Sequence, residues 1–525
     1  MTGEDLQCDV LVVGSGAGAL TGALLAASAG LRTIVVEKTD RFGGTTAYSG
    51  GGLWIPLSTP NRRASVVDSR TEVDAYLDAC VGQEHRELRD AYLDAGPGVI
   101  DELERNPWLE FEWRPFPDYF CEAPGAHTVG RSIYALDFDA TGHEDTVAAL
   151  RPPLPPDRGG WKEPFPLMIG GRALLARLLV ALGETDARLI RETELTSLVV
   201  EDGRVVGAVC AGPGGQLTVR AGRGVLLAAG GFERNAERRH RDQAPLGSDW
   251  TLGAPGGTGA ALEAAERAGA DTGLLEECWW APGLMLPDGT ASFRLFERGK
   301  PGSIMVNGAG VRFANETWPY DRLGRAMVEG HAAGVSHIPC WFVADQDHVD
   351  RYGFAAARPG REVGAEWFDR EVVVKADSLA ALAERIGVPS GALETTVEEW
   401  NAAAADGKDP LFGRGELAFD RFFGDPAVEP NPCVGPLSRG PYWGWKVLPA
   451  DLGTKGGVRC DTRARALRPG GSVLPGLYAA GNTMASWTNH SYPGPGSPIG
   501  SCVVFAALAA RHMIGPDPAG PGGAS

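Results

Sequence analysis

One segment near the N-terminus constrains the fold of this chain more than any other. A short apolar, β-branched run at 9–13 is typical of a strand buried on both faces, and a second such strand ends in Glu37. A glycine turn and a helix-compatible stretch separate the two strands. Gly14 permits the tight turn, Gly16 lets the backbone approach a pyrophosphate, and Ala19 still allows close packing of helix against strand. The segment predicts a dinucleotide-binding βαβ unit, with phosphates at the helix N-terminus and a ribose hydrogen-bonded to Glu37.

Three further segments favour FAD over NAD as the dinucleotide. The run 41–52 is rich in glycine and hydroxyl residues, so its backbone amides can line a long, flat cofactor. Two more apolar strands, 224–231 and 476–482, end in small residues, and Asn482 can hydrogen-bond a ribityl hydroxyl. A nicotinamide site does not need these distant strand ends. The glycines at 308–310 are not followed by a helix, so we expect no separate NAD(P)H site, and the substrate itself exchanges electrons with the flavin.

Charge and composition exclude several classes of function. The chain has 49 basic and 67 acidic side chains, a net charge of −18, so we do not expect nucleic acid as a partner. We see no secretory signal and no stretch of eighteen apolar residues, and 502–510 has the composition of a buried helix. The nine cysteines are scattered with no C-x-x-C pair, which predicts reduced thiols and no metal site. We expect a cytoplasmic protein with no transmembrane segment.

The order of these segments predicts an α/β protein, α+β overall, with a discontinuous cofactor domain. The block 277–446 has no glycine fingerprint and holds much of the Trp, Tyr and Phe. We therefore expect a Rossmann-like FAD-binding domain at 5–276 and 447–514, interrupted by a catalytic domain at 277–446 that caps the flavin. The Pro-, Gly- and Ala-rich tail at 515–525 is expected to be disordered.

A proline- and glycine-rich segment at 491–500 suggests a site for chemistry. Its prolines fix a rigid loop, its glycines leave the backbone bare, and an apolar helix follows directly. The arrangement can place the Tyr492 hydroxyl and the Gly496 N–H on one acceptor oxygen, a two-donor clamp for a carbonyl that becomes an enolate.

In its glycine and tyrosine segments the chain resembles the 3-ketosteroid Δ1-dehydrogenases, flavoproteins related to fumarate reductase and succinate dehydrogenase. The resemblance covers about residues 8 to 513. The glycine segments are shared with many flavoproteins, whereas the three tyrosine segments together are specific to this family. The matching segments are Val12-Val13-Gly14-Ser15-Gly16, 37–45, Phe116-Pro117-Asp118-Tyr119, Pro319-Tyr320-Asp321, 451–457 and Tyr492-Pro493-Gly494-Pro495-Gly496.

The resemblance implies a role for each of four residues. Tyr320 would be the base that removes a proton from steroid C2, and Tyr119 would be hydrogen-bonded to it and share the proton. Tyr492 and the Gly496 N–H would polarise the C3 carbonyl while a hydride leaves C1 for flavin N5. The chemistry is consistent with this, because a proton next to a ketone is acidic only if the enolate is stabilised. The partners implied are a 3-ketosteroid substrate and an external electron acceptor of unknown identity.

The glycine segments and the resemblance together predict the contacts of a non-covalently bound FAD. These are Gly14, Ser15, Gly16, Ala17, Gly18, Ala19, Glu37, Lys38, Thr39, Gly43, Gly44, Thr45, Thr46, Ser49, Gly50, Gly51, Leu195, Ala229, Gly230, Gly231, Gly481, Asn482, Ser497, Pro498 and Ile499. One departure affects this set: the family's Asn-Thr-Gly-Asp stretch is Gly257-Thr258-Gly259-Ala260 here, so an acidic or polar flavin contact is missing.

Three alternatives stay open. A fumarate-reductase-like enzyme holds dicarboxylates with Arg and His around a His-x-Thr-x-Gly-Gly stretch, but 451–457 contains no histidine. A Δ4-type ketosteroid dehydrogenase needs its base at a different carbon, and the pair Tyr119 and Tyr320 favours Δ1. A flavin-binding electron carrier should expose the isoalloxazine edge to a partner, which an aromatic capping domain disfavours.

Overall fold

The structure is a computed structural model that describes residues 4–154, 167–243, 246–247, 249–293, 297–355 and 357–515. Except for Gly515, the predicted disordered tail lies outside the described residues. The strands are β1 Glu4–Val13, β2 Thr33–Val36, β3 Gly52–Trp54, β4 Phe111–Trp113, β5 Ser132–Ala135, β6 Phe138–Asp139, β7 Leu167–Met168, β8 Arg188–Ile190, β9 Glu194–Glu201, β10 Arg204–Gly212, β11 Gly215–Leu227, β12 Thr272–Gly273, β13 Cys278–Met285, β14 Ala291–Phe293, β15 Ser303–Val306, β16 Cys340–Ala344, β17 Val373–Ala376, β18 Tyr442–Thr454, β19 Gly457–Val458, β20 Arg465–Leu467 and β21 Val473–Ala479.

The α-helices are α1 Ala17–Ser28, α2 Thr59–Arg63, α3 Arg70–Cys80, α4 Arg86–Leu103, α5 Glu144–Ala149, α6 Gly170–Gly183, α7 Ala236–Gln243, α8 Ala260–Arg267, α9 Tyr320–Ala332, α10 Gln346–Tyr352, α11 Ala365–Asp369, α12 Leu379–Ile386, α13 Ser390–Ala404, α14 Ala418–Phe423 and α15 Ser497–Ile514. Short 3₁₀ turns lie at Gly44–Tyr48, Glu297–Gly299 and Gly481–Thr483.

The larger sheet contains the predicted βαβ unit. Its strand order is β20-β21-β11-β1-β2-β8, and β10 and β9 extend it from the N-terminal half of β11. The strands β21, β11, β1, β2 and β8 run parallel, with Val12 opposite Leu226 on one side and Val35 on the other. The apolar residues at 10–13 of β1 and 34–36 of β2 are buried, as expected for parallel strands covered on both faces. The α/β prediction is confirmed.

Helices α1 and α15 pack against each other and against this sheet. The approach is close: a Cβ at Gly18 would lie 2.7 Å from the Cys502 carbonyl oxygen, and one at Gly22 would lie 2.6 Å from the Leu226 side chain. By length and composition alone, α15 is apolar enough to cross a membrane, yet 61% of it is buried inside the protein. It therefore serves as a core helix here, in line with the expectation for 502–510.

The second sheet is antiparallel and follows the order β14-β13-β18-β16-β15, with β17 also paired to β18. It lies within the segment expected to form the capping domain, and α9 packs on β13. Strand β18 runs unbroken across residue 447, where the return to the FAD-binding domain was placed, and continues to Thr454. Strand β18 thus extends from the second sheet to the edge of the first. The domain boundaries stay a prediction.

Candidate active site

A cavity of ≈ 350 Å³ lies where the carboxyl ends of β1, β2, β11 and β21 meet β18. Most of the predicted FAD contacts line this cavity, although they come from distant parts of the chain. These residues are Gly14, Ser15, Gly16, Ala17, Gly18, Glu37, Lys38, Thr39, Gly44, Thr45, Thr46, Ser49, Gly50, Gly51, Leu195, Ala229, Gly230, Gly231, Gly481, Asn482, Pro498 and Ile499. Among the predicted catalytic residues, Tyr320, Tyr492 and Gly496 also line it.

Four predicted site residues do not line the cavity. Ala19 is buried in the first turn of α1, and the Gly43 N–H donates to Ser15 Oγ at 3.0 Å. The Ser497 hydroxyl donates to the Gly494 carbonyl at 2.7 Å. Tyr119 is fully buried and contacts Tyr320, which faces the cavity. Ala19, Gly43 and Ser497 therefore shape the segments that line the site, and their direct contact with FAD stays a prediction.

The glycine-lined wall fits a dinucleotide. A Cβ added at Gly44, Gly50 or Gly230 would meet no protein atom within 4 Å, and all three glycines line the cavity, so their bare backbone leaves room for a ligand. Gly14 is needed for a different reason, because its φ is +105° and a Cβ there would lie 2.4 Å from the Ala228 carbonyl oxygen. Helix α1 begins at the cavity, where its N-terminus favours a phosphate group. Its N-cap Gly16 supplies no side-chain cap, and the Ala17 N–H donates to the Thr46 hydroxyl at 3.2 Å.

The acid at the end of β2 is held in a fixed orientation. One Glu37 oxygen accepts the Ser15 hydroxyl at 2.6 Å, and the other accepts both the N–H and the hydroxyl of Thr39 at 2.8 Å. Next to it, Lys38 Nζ donates to Glu194 at 2.8 Å and to the Thr258 hydroxyl at 2.7 Å. This end of the cavity therefore has the polar groups that a ribose requires.

Hydrogen bonds join the segment that follows β21 to the segment that follows β11. The Thr483 hydroxyl accepts the Ala229 N–H at 3.0 Å and donates to the Gly230 carbonyl at 2.8 Å. Beside it, the Asn482 side-chain oxygen accepts the Trp279 indole N–H at 3.0 Å, which leaves the amide NH₂ free to donate. The tertiary structure thus joins 228–231 to 481–483 in one wall.

Several residues of the wall were not identified from the sequence. Arg151 reaches the Thr39 hydroxyl at 2.9 Å, and a set of apolar side chains extends the cavity beside the tyrosines. The additional lining residues include Phe116, Tyr134, Leu154, Glu233, Leu252, Phe293 and Leu452. No local pattern marks Arg151 or Phe293, whereas Glu233 lies just two residues after the predicted cofactor segment 229–231.

Three buried tyrosines lie together at the other end of the cavity. Tyr119, Tyr320 and Tyr492 have ring centroids 5.0 to 5.3 Å apart, and the Tyr119 hydroxyl donates to the Tyr320 oxygen. Trp279 packs edge-on against Tyr492 at 4.9 Å, and Phe293 packs against Tyr320 at 5.1 Å. Three segments separated by hundreds of residues therefore converge on one aromatic cluster.

A buried ion pair holds the segment that carries Tyr119. The Asp118 carboxylate accepts the Trp54 indole N–H at 2.8 Å and the His127 N–H at 3.0 Å, and it pairs with the Arg131 guanidinium. Arg131 also forms a two-point contact with Asp68 at 2.7 and 2.9 Å. The Tyr119 N–H then donates to the Pro493 carbonyl at 3.1 Å, which links this segment to the loop of Tyr492.

The loop of Tyr492 depends on its two glycines. A Cβ at Gly494 would lie 2.4 Å from the Trp54 ring, and one at Gly496, where φ is +91°, would lie 2.2 Å from the Gly52 backbone. Buried Lys455 donates to the carbonyl of Ser491 at 2.5 Å, which fixes the residue before Tyr492. Tyr320 is placed differently, as the first residue of α9, where the helix dipole favours negative charge.

Burial raises the pKa of all three phenols, and the hydrogen bonds distinguish them. The Tyr119 hydroxyl donates to Tyr320, and this bond and the neighbouring Tyr492 hydroxyl oppose the rise in the pKa of Tyr320. The negative charge of an ionised Tyr320 raises the pKa values of Tyr119 and Tyr492 further, although the Gly496 N–H lowers that of Tyr492. Tyr320 is therefore the phenol whose surroundings best support its ionised form.

Comparison with known proteins identifies the family to which the chain belongs. The FAD binding domain family matches residues 9–499 of the chain. The chain is also 41% identical to the 3-oxosteroid 1-dehydrogenase of Mycolicibacterium smegmatis, over 98% of both chains. The chain belongs to the FAD binding domain family and is an FAD-dependent oxidoreductase. The enzyme's cofactor is FAD.

Two further similarities bear on what the enzyme acts on. A crystal structure of 3-ketosteroid Δ1-dehydrogenase from Sterolibacterium denitrificans in complex with 1,4-androstadiene-3,17-dione superposes with a TM-score of 0.91. That protein is 34% identical, and the match covers 97% of this chain and 99% of the other. The 4-oxocyclohex-2-ene-1-carboxylate 5-dehydrogenase of Sinomonas cyclohexanicum is also 34% identical, over 97% of this chain and 94% of its own. All three relatives are dehydrogenases of cyclic ketones.

Proposed function

We propose that the enzyme introduces the 1,2-double bond into 3-ketosteroids. The observation that carries this proposal is the cluster of Tyr119, Tyr320 and Tyr492 at the end of the cofactor cavity, with the Gly496 N–H beside the Tyr492 hydroxyl. The similarity to several 3-oxosteroid 1-dehydrogenases supports it.

The ketone oxygen of the substrate is bound by two donors. Tyr492 donates its hydroxyl and Gly496 its backbone N–H, and both groups are rigidly placed because the loop cannot accommodate a Cβ at Gly496. As negative charge develops on this oxygen, the donors stabilise it, which acidifies the neighbouring C2–H bond.

Tyr320 takes the proton from C2. The hydrogen bond from Tyr119 and the N-terminus of α9 both favour its phenolate, which a phenol with a usual pKa of ~10 needs in order to act as a base near neutral pH. When bound, FAD supplies the acceptor for the hydride that leaves C1. The substrate loses one proton and one hydride, so the carbon skeleton is oxidised by two electrons and the flavin is reduced by two.

The remaining assignments form part of the same proposal. We propose that the predicted FAD contacts bind the cofactor, that 277–446 acts as the cap, and that an external acceptor reoxidises the flavin in the cytoplasm. The glycine wall and the N-terminus of α1 at the cavity support the FAD contacts.

The cavity wall beside the tyrosines favours a steroid over a small oxo-acid. Its described side chains Phe116, Leu252, Phe293 and Leu452 are apolar, which matches the fused rings of a steroid. A substrate such as 4-oxocyclohexanecarboxylate brings a carboxylate, whose burial against apolar groups is unfavourable.

An anaerobic titration of the purified holoenzyme tests the proposal. We expect 5α-androstane-3,17-dione to bleach the flavin absorbance and to give the 1-ene product, identified by mass spectrometry and NMR. A 4-ene product would instead establish Δ4 chemistry. Bleaching by 4-oxocyclohexanecarboxylate or succinate but by no 3-ketosteroid would reject the steroid proposal.

A further inference from the structure

A buried carboxyl group in the cofactor wall has no role in the proposed reaction. Glu233 is 1% exposed and lines the cavity, and its Oε2 atom has no hydrogen-bond partner among the described residues. Buried polar atoms in folded proteins nearly always have a partner, and leaving one unsatisfied is unfavourable. Since Glu233 faces the cavity, the missing partner is expected from the ligand.

The surroundings of Glu233 leave room for this carboxyl group. A Cβ added at Gly231, Gly253 or Gly257 would lie 2.7, 2.5 or 2.4 Å from a carboxylate oxygen of Glu233. Any side chain at these three positions would displace the acid. Gly257 belongs to the stretch expected from the sequence to lack an acidic flavin contact, and Glu233 brings an acidic group to this part of the wall from another segment.

Glu233 forms no ion pair with any cation in the described part of the chain. Arg239 on α7, whose charge favours the Glu233 carboxylate, pairs with Asp451 on β18 at 2.8 Å. The other Asp451 oxygen accepts the Thr251 hydroxyl at 2.6 Å and the Gly453 N–H at 2.8 Å. Burial and the charge of Asp451 raise the pKa of Glu233 to about 7, while Arg239 and the N–H groups of Glu233 and Thr454 oppose the rise. A buried carboxyl group of this kind destabilises the folded protein unless a bound ligand interacts with it.

We propose that Glu233 is a cofactor-binding residue that hydrogen-bonds a sugar hydroxyl of FAD. A carboxyl group accepts hydrogen bonds from hydroxyls, and FAD carries hydroxyls on its ribityl chain and on its ribose. A Cβ at Gly453 would lie 3.8 Å from Glu233 Oε1 and 2.4 Å from the Asn482 amide nitrogen, so the two side chains flank this glycine. A phosphate oxygen fits this position less well than a hydroxyl, because the ionised form of the carboxyl group repels an anion.

Binding of FAD to the apoprotein tests this role without relying on turnover. We expect E233A to raise the Kd for FAD, measured by quenching of flavin fluorescence, about 10- to 100-fold, and E233Q to raise it less. The matched control is E237Q, an exposed acid on α7 four residues away, which should stay within twofold of the wild type. An E233A apoprotein that binds FAD within twofold of the wild type would overturn the proposal.

Two further measurements separate a cofactor contact from a structural role and identify the sugar. If Glu233 serves the ligand, the E233A and E233Q apoproteins unfold at or above the wild-type temperature and gain less stability from added FAD. Apoproteins that unfold below the wild type would show a structural role and overturn the proposal. ADP, which has the ribose but no ribityl chain, distinguishes the sources: unchanged ADP affinity assigns the ribityl chain, and a parallel loss assigns the ribose.

Discussion

The Tyr119 hydroxyl donates a hydrogen bond to the Tyr320 oxygen, although the two residues lie 201 positions apart in the chain. The direction of this bond separates their properties: it opposes the rise in the pKa of Tyr320 and adds to the rise in that of Tyr119. The fully buried phenol thus makes its partner at the cavity the better base.

Removing this donor should move the pH profile. In the proposed mechanism ionised Tyr320 is the active form, and burial raises its pKa, so kcat/KM of the wild type should increase with pH through the neutral to alkaline range. In Y119F the Tyr320 pKa rises further, so the increase should begin at a higher pH and activity at pH 7 should fall about 10-fold. A profile with the wild-type midpoint would remove Tyr119 from this role.

Y320F should abolish desaturation while leaving the cofactor bound. The substitution removes only the proton acceptor, so flavin absorbance and thermal stability should match the wild type while steroid-dependent bleaching is lost. Y352F is a suitable control, because the Tyr352 hydroxyl donates to Asp425 and Tyr352 does not line the cavity. Substantial bleaching by Y320F would show that another group is the base.

Y492F should lower kcat more than it raises the steroid Kd. The hydroxyl acts on the charge that develops at the ketone oxygen, and loss of one such donor lowers kcat on the order of 10²–10³-fold. Stopped-flow reduction gives both constants from the same titration. A raised Kd with an unchanged kcat would assign Tyr492 to ground-state binding alone.

D118N should destabilise the protein and impair catalysis through the position of Tyr119. Asp118 is a buried partner of Arg131, and Asp68 compensates the guanidinium only in part, so we expect a loss of about 3 kcal/mol in the free energy of unfolding. Urea unfolding of wild type and variant measures this. A change below about 0.5 kcal/mol would show that the pair does not hold this segment.

The stability of the apoprotein should respond to pH through Glu233. Its folded pKa of about 7 exceeds the ordinary 4.5, so the folded state holds a proton that the unfolded state has released. The stabilising contribution is present below about pH 4.5 and is lost as pH rises through 7. E233Q should therefore be more stable than the wild-type apoprotein at pH 8, by up to about 3 kcal/mol, and similar at pH 4.5. A difference in melting temperature between the two apoproteins that stays constant across this pH range would contradict the prediction.

Local patterns determined the cofactor half of this protein. The strand–glycine–helix–strand segment up to Glu37 and the strand ends at 229–231 and 481–482 could be identified because buried parallel strands and phosphate-binding turns have short, regular sequence signatures. The roles of the tyrosines came instead from the resemblance to a family, since no spacing along the chain relates Tyr119, Tyr320 and Tyr492.

Only the tertiary structure decided how these residues meet. It made Tyr320 the acceptor of the Tyr119 hydrogen bond, joined Trp279 to Asn482, and left Glu233 without an ion-pair partner among the described residues. Strand and turn formation depend on neighbours a few residues apart, which the sequence displays directly. Hydrogen-bond direction, burial and charge pairing depend on residues hundreds of positions apart, and these are fixed only when the two sheets pack around one cavity.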